Sequence, residues 1–256
     1  MRFLSSMFNA AVNDERIAKN PFAKIALPRM SSTAVDQDEI PTAAEVKRTF
    51  ELDRQRYAII PKLQAGAGLR VAEALAVSED CRRRNGVLRI YRQVSTFTTD
   101  GKTGPARLAP LKHRTEGEYR EIALAPSLDR AIDHHIETFG TVTIDEHPGM
   151  LVANTHGALM TGNNYRSLWT RNMDRLDLDI NPHDLRHFFA STALAGGASL
   201  LEVSRWLGHT SIKITADTYG HLTEAAPDRL RSIIDTALGA PDDPGETNEI
   251  SLEQAA

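Results

Sequence analysis

The spacing of apolar residues predicts a mainly helical chain. Apolar positions recur at helical intervals from Phe3, and this helix is expected to end at Asn20-Pro21, because the residue before a proline avoids the helical conformation. Thr42 and Glu45 form a capping-box pattern, which predicts a helix from there to about Arg56. Further helices are predicted at 57–65, 69–75, 126–139, 163–177, 182–194, 200–207, 211–219 and 228–238.

Two short segments have strand character instead. Residues 87–94 and 119–124 are rich in β-branched and aromatic residues, and the turn-rich segment TTDGKTGP lies between them. We expect one small antiparallel sheet on an otherwise helical domain, which is a mainly α variant of the α+β class. The linker-like composition of residues 21–38 places a domain boundary near Val35.

Composition indicates a folded domain and limits the cellular compartments in which the protein is expected. With 256 residues, 41% of them hydrophobic, the chain can bury a substantial core. Cys81 is its single cysteine, so an intramolecular disulfide is excluded and a reducing compartment is favoured. No stretch approaches the roughly 20 apolar residues of a membrane span, and the opening residues lack an export signal. We therefore expect a cytoplasmic protein that is not bound to a membrane.

The formal net charge of −4 conceals an uneven distribution. Residues 82–120 carry ten Lys or Arg against three acids, a local charge of +7, so the other residues sum to −11. Five acids and no Lys or Arg follow Pro241. A basic segment with an acidic tail fits a phosphate-binding face, although charge alone fits an ordinary solvated surface better.

Candidate chemistry lies in five dispersed motifs, namely GAGLRVAEAL, PLKHR, HDLRH, LGHTS and TYGHL. Arginines can neutralise phosphate oxygens, a lysine can protonate a leaving oxygen, histidines can move protons, and a tyrosine phenol can act as a nucleophile. These types together suit metal-free attack on a phosphodiester. The side chains in question are Arg70, Lys112, His183, Arg186, His209 and Tyr219.

Taken singly, each motif has another interpretation. His183 and Arg186 share the first turn of the helix predicted to begin at Asn181-Pro182, where free amides attract an anion, but HDLRH also suits a core helix. His209 alone is typical of a solvated loop, and Tyr219 alone of a packing aromatic.

The basic residues of the first two motifs leave similar choices open. Arg70 lies among apolar neighbours and needs an anionic partner, which can be Glu73, Asp80 or a phosphate. Lys102 lies in a glycine-flanked turn and competes with Lys112 for the same role.

The order of these motifs resembles the catalytic domain of the tyrosine recombinases, the phage integrase family, over about 41–238. The resemblance implies a mobile-element enzyme that cuts and rejoins double-stranded DNA through a 3′-phosphotyrosyl link, as a homotetramer, without metal or other cofactor. It assigns a phosphate clamp to Arg70 and Arg186, leaving-group protonation to Lys112, and acid–base work to His183. His209 would hydrogen bond the phosphate and Tyr219 would attack it, with Glu73 and His187 in support.

The resemblance also suggests a domain plan. Residues 1–35 would be the remnant of an N-terminal core-binding helical domain with a linker, 36–240 the catalytic domain, and 241–256 an acidic, disordered tail. The helix predicted at 228–238 would dock on a neighbouring subunit or on its own domain.

Other functions are open as well. A truncated, inactive DNA-binding remnant or a type IB-like topoisomerase would carry the same motifs. A metal hydrolase is suggested by the i, i+4 spacing of His183 and His187, but it leaves Arg70, Lys112 and Tyr219 without roles.

Overall fold

A computed structural model describes residues 2–23, 34–99 and 102–223, together with Arg231 and Ile234. The chain divides into two compact units, Met1–Thr33 and Ala34–Ala256. The predicted helix at 228–238, apart from those two positions, and the acidic tail at 241–256 lie outside the described residues. Within the described part of the chain, every helix is too short or too polar to span a membrane.

The described residues of the N-terminal unit, 2–23, contain one helix, α1 (Arg2–Asn13), which is shorter than the predicted helix to Asn20. Glu15 adopts a left-handed backbone conformation with φ of 57°, which ends the helical course. The Asn20 side chain then donates hydrogen bonds to the Ser5 carbonyl at 3.0 Å and to Asn9 Oδ1 at 2.7 Å. These bonds hold the chain folded back on α1, so the sequence pattern overestimated the length of the helix.

The second unit is mainly helical. Its helices are α2 (Ala43–Arg48), α3 (Ile59–Ala67), α4 (Val71–Ala74), α5 (Pro126–Phe139), α6 (Gly162–Leu176), α7 (Asp184–Ala195), α8 (Leu200–Leu207) and α9 (Ile212–Tyr219). The capping box of Thr42 and Glu45 is present. However, α2 ends at Arg48 and not near Arg56, because long-range hydrogen bonds hold the chain after it against α6. One of them joins the Asp53 amide to Asn172 Oδ1 at 2.8 Å.

Among the described residues, the strands form three antiparallel sheets where the sequence predicted one. The strands are β1 (Arg82–Arg83), β2 (Val87–Ile90), β3 (Arg92–Thr99), β4 (Lys102–Pro110), β5 (Arg120–Ala123), β6 (Val142–Ile144) and β7 (His147–Met150). They pair in the orders β1-β2-β5, β3-β4 and β6-β7. The segment TTDGKTGP was predicted as a turn, but most of it belongs to the β3–β4 ribbon, in which Thr99 pairs with Lys102. The predicted class, mainly α with small antiparallel sheets, is confirmed.

Two apolar clusters form the core of the second unit. The larger one contains α3, α5, α6 and the three-stranded sheet, and includes Leu63 and Trp169. The smaller one joins α7, α8 and α9 through Ala190, Val203 and Tyr219. The elements that carry the chemical motifs therefore meet where α3 and α4 approach the α7–α9 group.

Gly68 closes α3 at this junction in a left-handed conformation with φ of 62°. A Cβ atom on it would lie 2.5 Å from Phe189 Cδ1 and 2.9 Å from Leu207 Cδ2. Glycine is therefore required here both by the backbone conformation and by the close approach of α7 and α8.

We predict that Gly68→Ala lowers the free energy of unfolding more than the same substitution at a left-handed glycine without close neighbours. The extra loss should be about 1–3 kcal/mol, because the methyl group overpacks the junction. Urea unfolding measures the difference. Gly117→Ala is the matched control, since its φ is +88° and no atom lies within 4 Å of the added Cβ position. Equal losses at the two positions would contradict the close packing described for Gly68.

Candidate active site

Four segments of the second unit bring the predicted side chains together. Arg70 is the N-cap of α4, His183 is the N-cap of α7, and His209 follows the last turn of α8. Arg186 and His187 lie in the first turn of α7, and Tyr219 is the last residue of α9. The helix of the HDLRH motif begins at Asp184, after a turn in which Asn181 Oδ1 accepts the His183 amide at 2.9 Å.

Glu73 is the anion at the centre of this group. Its carboxylate is 1% exposed and accepts two parallel hydrogen bonds from Arg120, at 3.0 and 2.7 Å. It also accepts hydrogen bonds from the Arg70 guanidinium at 2.9 Å and from the Arg70 amide at 2.8 Å. The sequence left Glu73, Asp80 and a phosphate open as partners of Arg70, and the structure pairs it with Glu73.

The charge state of Glu73 follows from these bonds. Burial alone acts to raise the pKa of this carboxyl, but the charge and hydrogen bonds of Arg120, followed by the charges of Arg70 and Arg186, lower the pKa to about 2. Glu73 is therefore a carboxylate at neutral pH and compensates part of the positive charge of the cluster.

Arg186 is 2% exposed and joins the ends of two helices. Its Nη1 donates to the Gly68 carbonyl, and its Nη2 donates to the Leu207 carbonyl at 2.6 Å. Burial, and then the charge of Arg70, lower the pKa of Arg186 to about 9, so it stays protonated at neutral pH. Two of its five N–H groups are used in these bonds.

His209 lies in the turn that follows α8. Its amide bonds to the Ser204 carbonyl at 3.0 Å, and its Nδ1 lies 2.9 Å from the buried Thr215 hydroxyl. Burial, followed by the charges of Arg186, Arg70 and Arg120, lowers the pKa of His209 to about 4. The imidazole is therefore neutral, and a Thr215 hydroxyl that donates to Nδ1 leaves the ring proton on Nε2.

Tyr219 is hydrogen bonded to the second histidine of the HDLRH motif. Its phenol oxygen lies 2.7 Å from His187 Nδ1, and the His187 ring packs edge to face on His183 with centroids 4.7 Å apart. Burial, followed by the charges of His183 and Arg186, lowers the pKa of His187 to about 4. Burial raises the pKa of Tyr219 to about 12, against an opposing effect of Arg186. A neutral imidazole thus faces a protonated phenol.

The two candidate lysines lie on or just after β4, in the segment that leads to Arg120. Lys112 is exposed on a turn after β4 and has no hydrogen bond or ion pair with any residue that the structure describes. Lys102 begins β4 and pairs with Thr99, and its side chain lies outside what the structure describes. The connection from β4 to β5 nevertheless leads from Lys112 directly to Arg120, which is inside the cluster.

Arg120 and Thr215 are site residues that the sequence motifs did not identify. Arg120 was counted only among the basic residues of the charged segment. Its signal was the two-residue period of β5 and the residue after it, since Arg120, Ile122 and Leu124 are buried. Thr215 gave no such signal, because a threonine in the middle of a short helix has no distinguishing pattern.

Comparison with known proteins decides the family. The sequence model of the phage integrase family matches residues 34–226. The chain belongs to the phage integrase family. The tyrosine recombinase XerC-like protein of Caldanaerobacter subterraneus is 25% identical over 86% of this chain and 60% of its own length. The tyrosine recombinase XerC of Anoxybacillus flavithermus is 28% identical over 91% of this chain and 72% of its own length.

Solved structures give the same fold to this member of the phage integrase family. The Tn1549 transposon integrase in complex with a circular intermediate DNA aligns with a TM-score of 0.71 at 20% identity, covering 90% of this chain and 77% of the integrase. A lambda integrase dimer bound to a COC′ core site aligns with a TM-score of 0.56 at 17% identity, covering 82% and 70%. The family and the fold predicted from the motifs are confirmed.

The position of Glu73 predicts how stability depends on pH. Its pKa in the folded protein is about 2, below the ordinary value of 4.5, so its contribution to stability is complete above about pH 4.5 and is lost as the pH falls toward 2. We predict that the free energy of unfolding of the wild-type protein falls by about 3 kcal/mol over this pH range, and that Glu73→Gln does not show this loss. Chemical unfolding at a series of pH values measures it.

Glu121→Gln is the matched control for this measurement. Glu121 pairs with Arg89 at 2.7 Å, but both side chains are partly exposed. Its replacement should leave the acid dependence almost unchanged. An acid dependence of Glu73→Gln as steep as that of the wild type would contradict the charge assigned to Glu73.

Proposed function

We propose that this phage integrase family member is a site-specific recombinase that cuts and rejoins double-stranded DNA through a phosphotyrosyl intermediate. The observation that carries the proposal is the convergence of a tyrosine, three histidines and two phosphate-binding candidates, Arg70 and Arg186, in one cluster. Relatives named as tyrosine recombinases and structural neighbours bound to DNA support it.

In this mechanism Tyr219 attacks the phosphorus of a phosphodiester. Its Oη passes its proton to the α7 histidine pair through His187 Nδ1, 2.7 Å away, and bonds to phosphorus. The bond to the 5′ oxygen breaks, and a 3′-phosphotyrosyl link remains. Arg70 and Arg186 face the negative charge that grows on the non-bridging oxygens, and His209 donates a hydrogen bond to them. Lys112 protonates the leaving 5′ oxygen. Attack by the 5′ hydroxyl of another strand reverses the step, so no external energy source is needed.

The histidines of α7 have different positions relative to the nucleophile. His187 contacts the phenol directly, whereas His183 contacts the His187 ring. We assign support of the phenol to His187 and acid–base work to His183, which lies at the open start of the helix. Tyr219 is only 2% exposed, and attack needs its oxygen within about 3–3.5 Å of phosphorus. DNA binding must therefore bring the phenol out of the apolar cluster of α7, α8 and α9.

The partner proposed for this site is a duplex recombination site bound by four copies of the chain. The basic residues between 82 and 120 supply positive charge along the strands that lead to Lys112 and Arg120. Such charge contributes affinity for phosphates without reading sequence.

We predict that the protein forms an SDS-resistant adduct with a nicked duplex carrying its recombination site, in the presence of EDTA, and that Tyr219→Phe forms none. The phenol oxygen is the attacking atom, so its removal abolishes the covalent step while leaving the packing of the ring. Tyr165→Phe is the control, since Tyr165 is also fully buried but lies in α6.

The other outcomes separate the rival functions. An adduct in Tyr219→Phe would contradict the assigned nucleophile, and binding of the duplex without any adduct would favour a remnant that only binds DNA. Strand exchange between two duplexes distinguishes a recombinase from a type IB-like topoisomerase, which reseals the strand that it cut.

The role of Lys112 gives a separate prediction. Lys112→Ala should slow adduct formation roughly 10²–10⁴-fold on an ordinary phosphodiester, because the leaving oxygen needs a proton. A substrate with sulfur at the 5′ bridging position leaves as a thiolate without protonation, so the rate should be largely restored. Lys102→Ala is the matched control. The role would belong to Lys102 if Lys102→Ala slowed adduct formation and the sulfur substrate restored the rate, while Lys112→Ala kept the wild-type rate.

A further inference from the structure

Arg120 is a buried cation that joins distant parts of the active-site cluster. It is 6% exposed, and its guanidinium makes three hydrogen bonds. Two go to the carboxylate of Glu73 in α4, and the Nε donates to the Trp206 carbonyl in α8 at 2.7 Å. One planar group therefore spans from the helix that holds Arg70 to the helix that precedes His209.

The contact with α8 lies at the end of the helix. The last carbonyls of a helix lack partners within it, and a cation near them is favourable. Arg120 binds the Trp206 carbonyl and Arg186 binds the Leu207 carbonyl, so two arginines from other elements satisfy adjacent acceptors. Both bonds fix the direction in which the chain leaves α8 toward His209.

Gly208 lies against the aliphatic part of Arg120. It has a φ of +66°, and a Cβ on it would be 3.0 Å from Arg120 Cδ and 3.3 Å from its Nε. The residue immediately before His209 is thus packed on the Arg120 side chain. The position of the His209 turn depends on Arg120 through both this packing and the bond to Trp206.

The contact with Glu73 orients Arg70. Glu73 Oε1 accepts from both Arg120 and Arg70, and the two parallel bonds of Arg120 fix the plane of the carboxylate. The Arg70 guanidinium, whose side chain is 31% exposed, is held by the same carboxylate. Arg120 therefore acts on Arg70 through one shared acceptor.

We infer that Arg120 is a positioning residue that fixes Arg70 and His209 relative to each other for phosphate binding. This inference rests on the proposed function. The hydrogen bonds of Arg120 go to Glu73 and to the Trp206 carbonyl, so it acts on Arg70 and His209 through these neighbours. A lysine would keep the charge beside Glu73 but could not make two parallel bonds to a carboxylate and a third to a carbonyl in one plane.

The first test is Arg120→Lys. We expect its rate of adduct formation on a nicked duplex to fall roughly 10–100-fold, because small displacements of groups that bind the reacting phosphate are costly. Its affinity for the duplex should stay within about two-fold of wild type, because its charge is kept. Arg89→Lys is the matched control, since Arg89 lies on the adjacent strand in a partly exposed pair with Glu121 and should retain the wild-type rate.

A mutant cycle separates positioning from a general structural role. Arg120→Lys is introduced into a variant that already carries Arg70→Lys and His209→Gln. If Arg120 acts through these two residues, its replacement should cost less than about three-fold there. The same 10–100-fold loss in both backgrounds would overturn the inference.

A second pair of variants keeps the test valid if Arg120→Lys does not fold. Glu73→Gln leaves Arg120 buried without its anion, whereas Glu73→Gln with Arg120→Met removes both charges and should melt at a higher temperature. We expect the double variant to form adduct more slowly than Glu73→Gln although it is more stable, because the Trp206 bond is lost. A double variant as fast as the single one would overturn the inference.

A measurement on the free protein makes failure of the inference distinguishable from failure of the proposed function. The ring resonances of His209, assigned by their loss in His209→Gln, should shift in Arg120→Lys and stay unchanged in Arg89→Lys. Unchanged resonances in Arg120→Lys would overturn the positioning role whether or not DNA is cut. Absence of any adduct in the wild type, with shifted resonances in Arg120→Lys, would contradict the proposed function alone.

Discussion

The active-site cluster depends on a single buried carboxylate. Three guanidinium groups, those of Arg70, Arg120 and Arg186, lie within electrostatic range of Glu73. Two of them are almost fully buried, and buried charges of one sign destabilise a fold unless an opposite charge or hydrogen-bond acceptors compensate them. Glu73 provides that charge, and its own ionisation is maintained by the same arginines. Neither the anion nor the cations would be stable in this position alone.

One carboxylate cannot accept every donor of three arginines, and the ends of two helices supply further acceptors. The remaining donors bind backbone carbonyls at helix C-termini, at Gly68 after α3 and at Trp206 and Leu207 in α8. These carbonyls lack partners within their own helices. The need of buried arginines for acceptors and the need of helix ends for donors are thereby met together. The same contacts bring Arg70, His209 and the start of α7 into one place.

The sequence predicted which residues form the candidate site better than it predicted the long-range hydrogen bonds that join them. The helices α5 to α9 and the motifs that they carry follow from apolar spacing and capping residues, which are local signals. The β3–β4 ribbon was missed, because Asp100 and the glycines in TTDGKTGP mark a turn but do not show that both flanks pair. Arg120 was missed because its partners are 47 and 86 residues away, and no local pattern encodes a bond of that length.

The cluster also explains why its histidines are neutral. Burial first, and then nearby positive groups that include Arg186 and His183, lower the pKa values of His187 and His209 to about 4. A phosphodiester brought between Arg70 and Arg186 carries a negative charge, and a nearby anion favours the protonated form of an imidazole. Bound DNA would therefore raise these pKa values toward neutrality. Under the proposed function, the capacity of these histidines to move protons increases when DNA is bound, because the phosphodiester supplies negative charge beside the arginines.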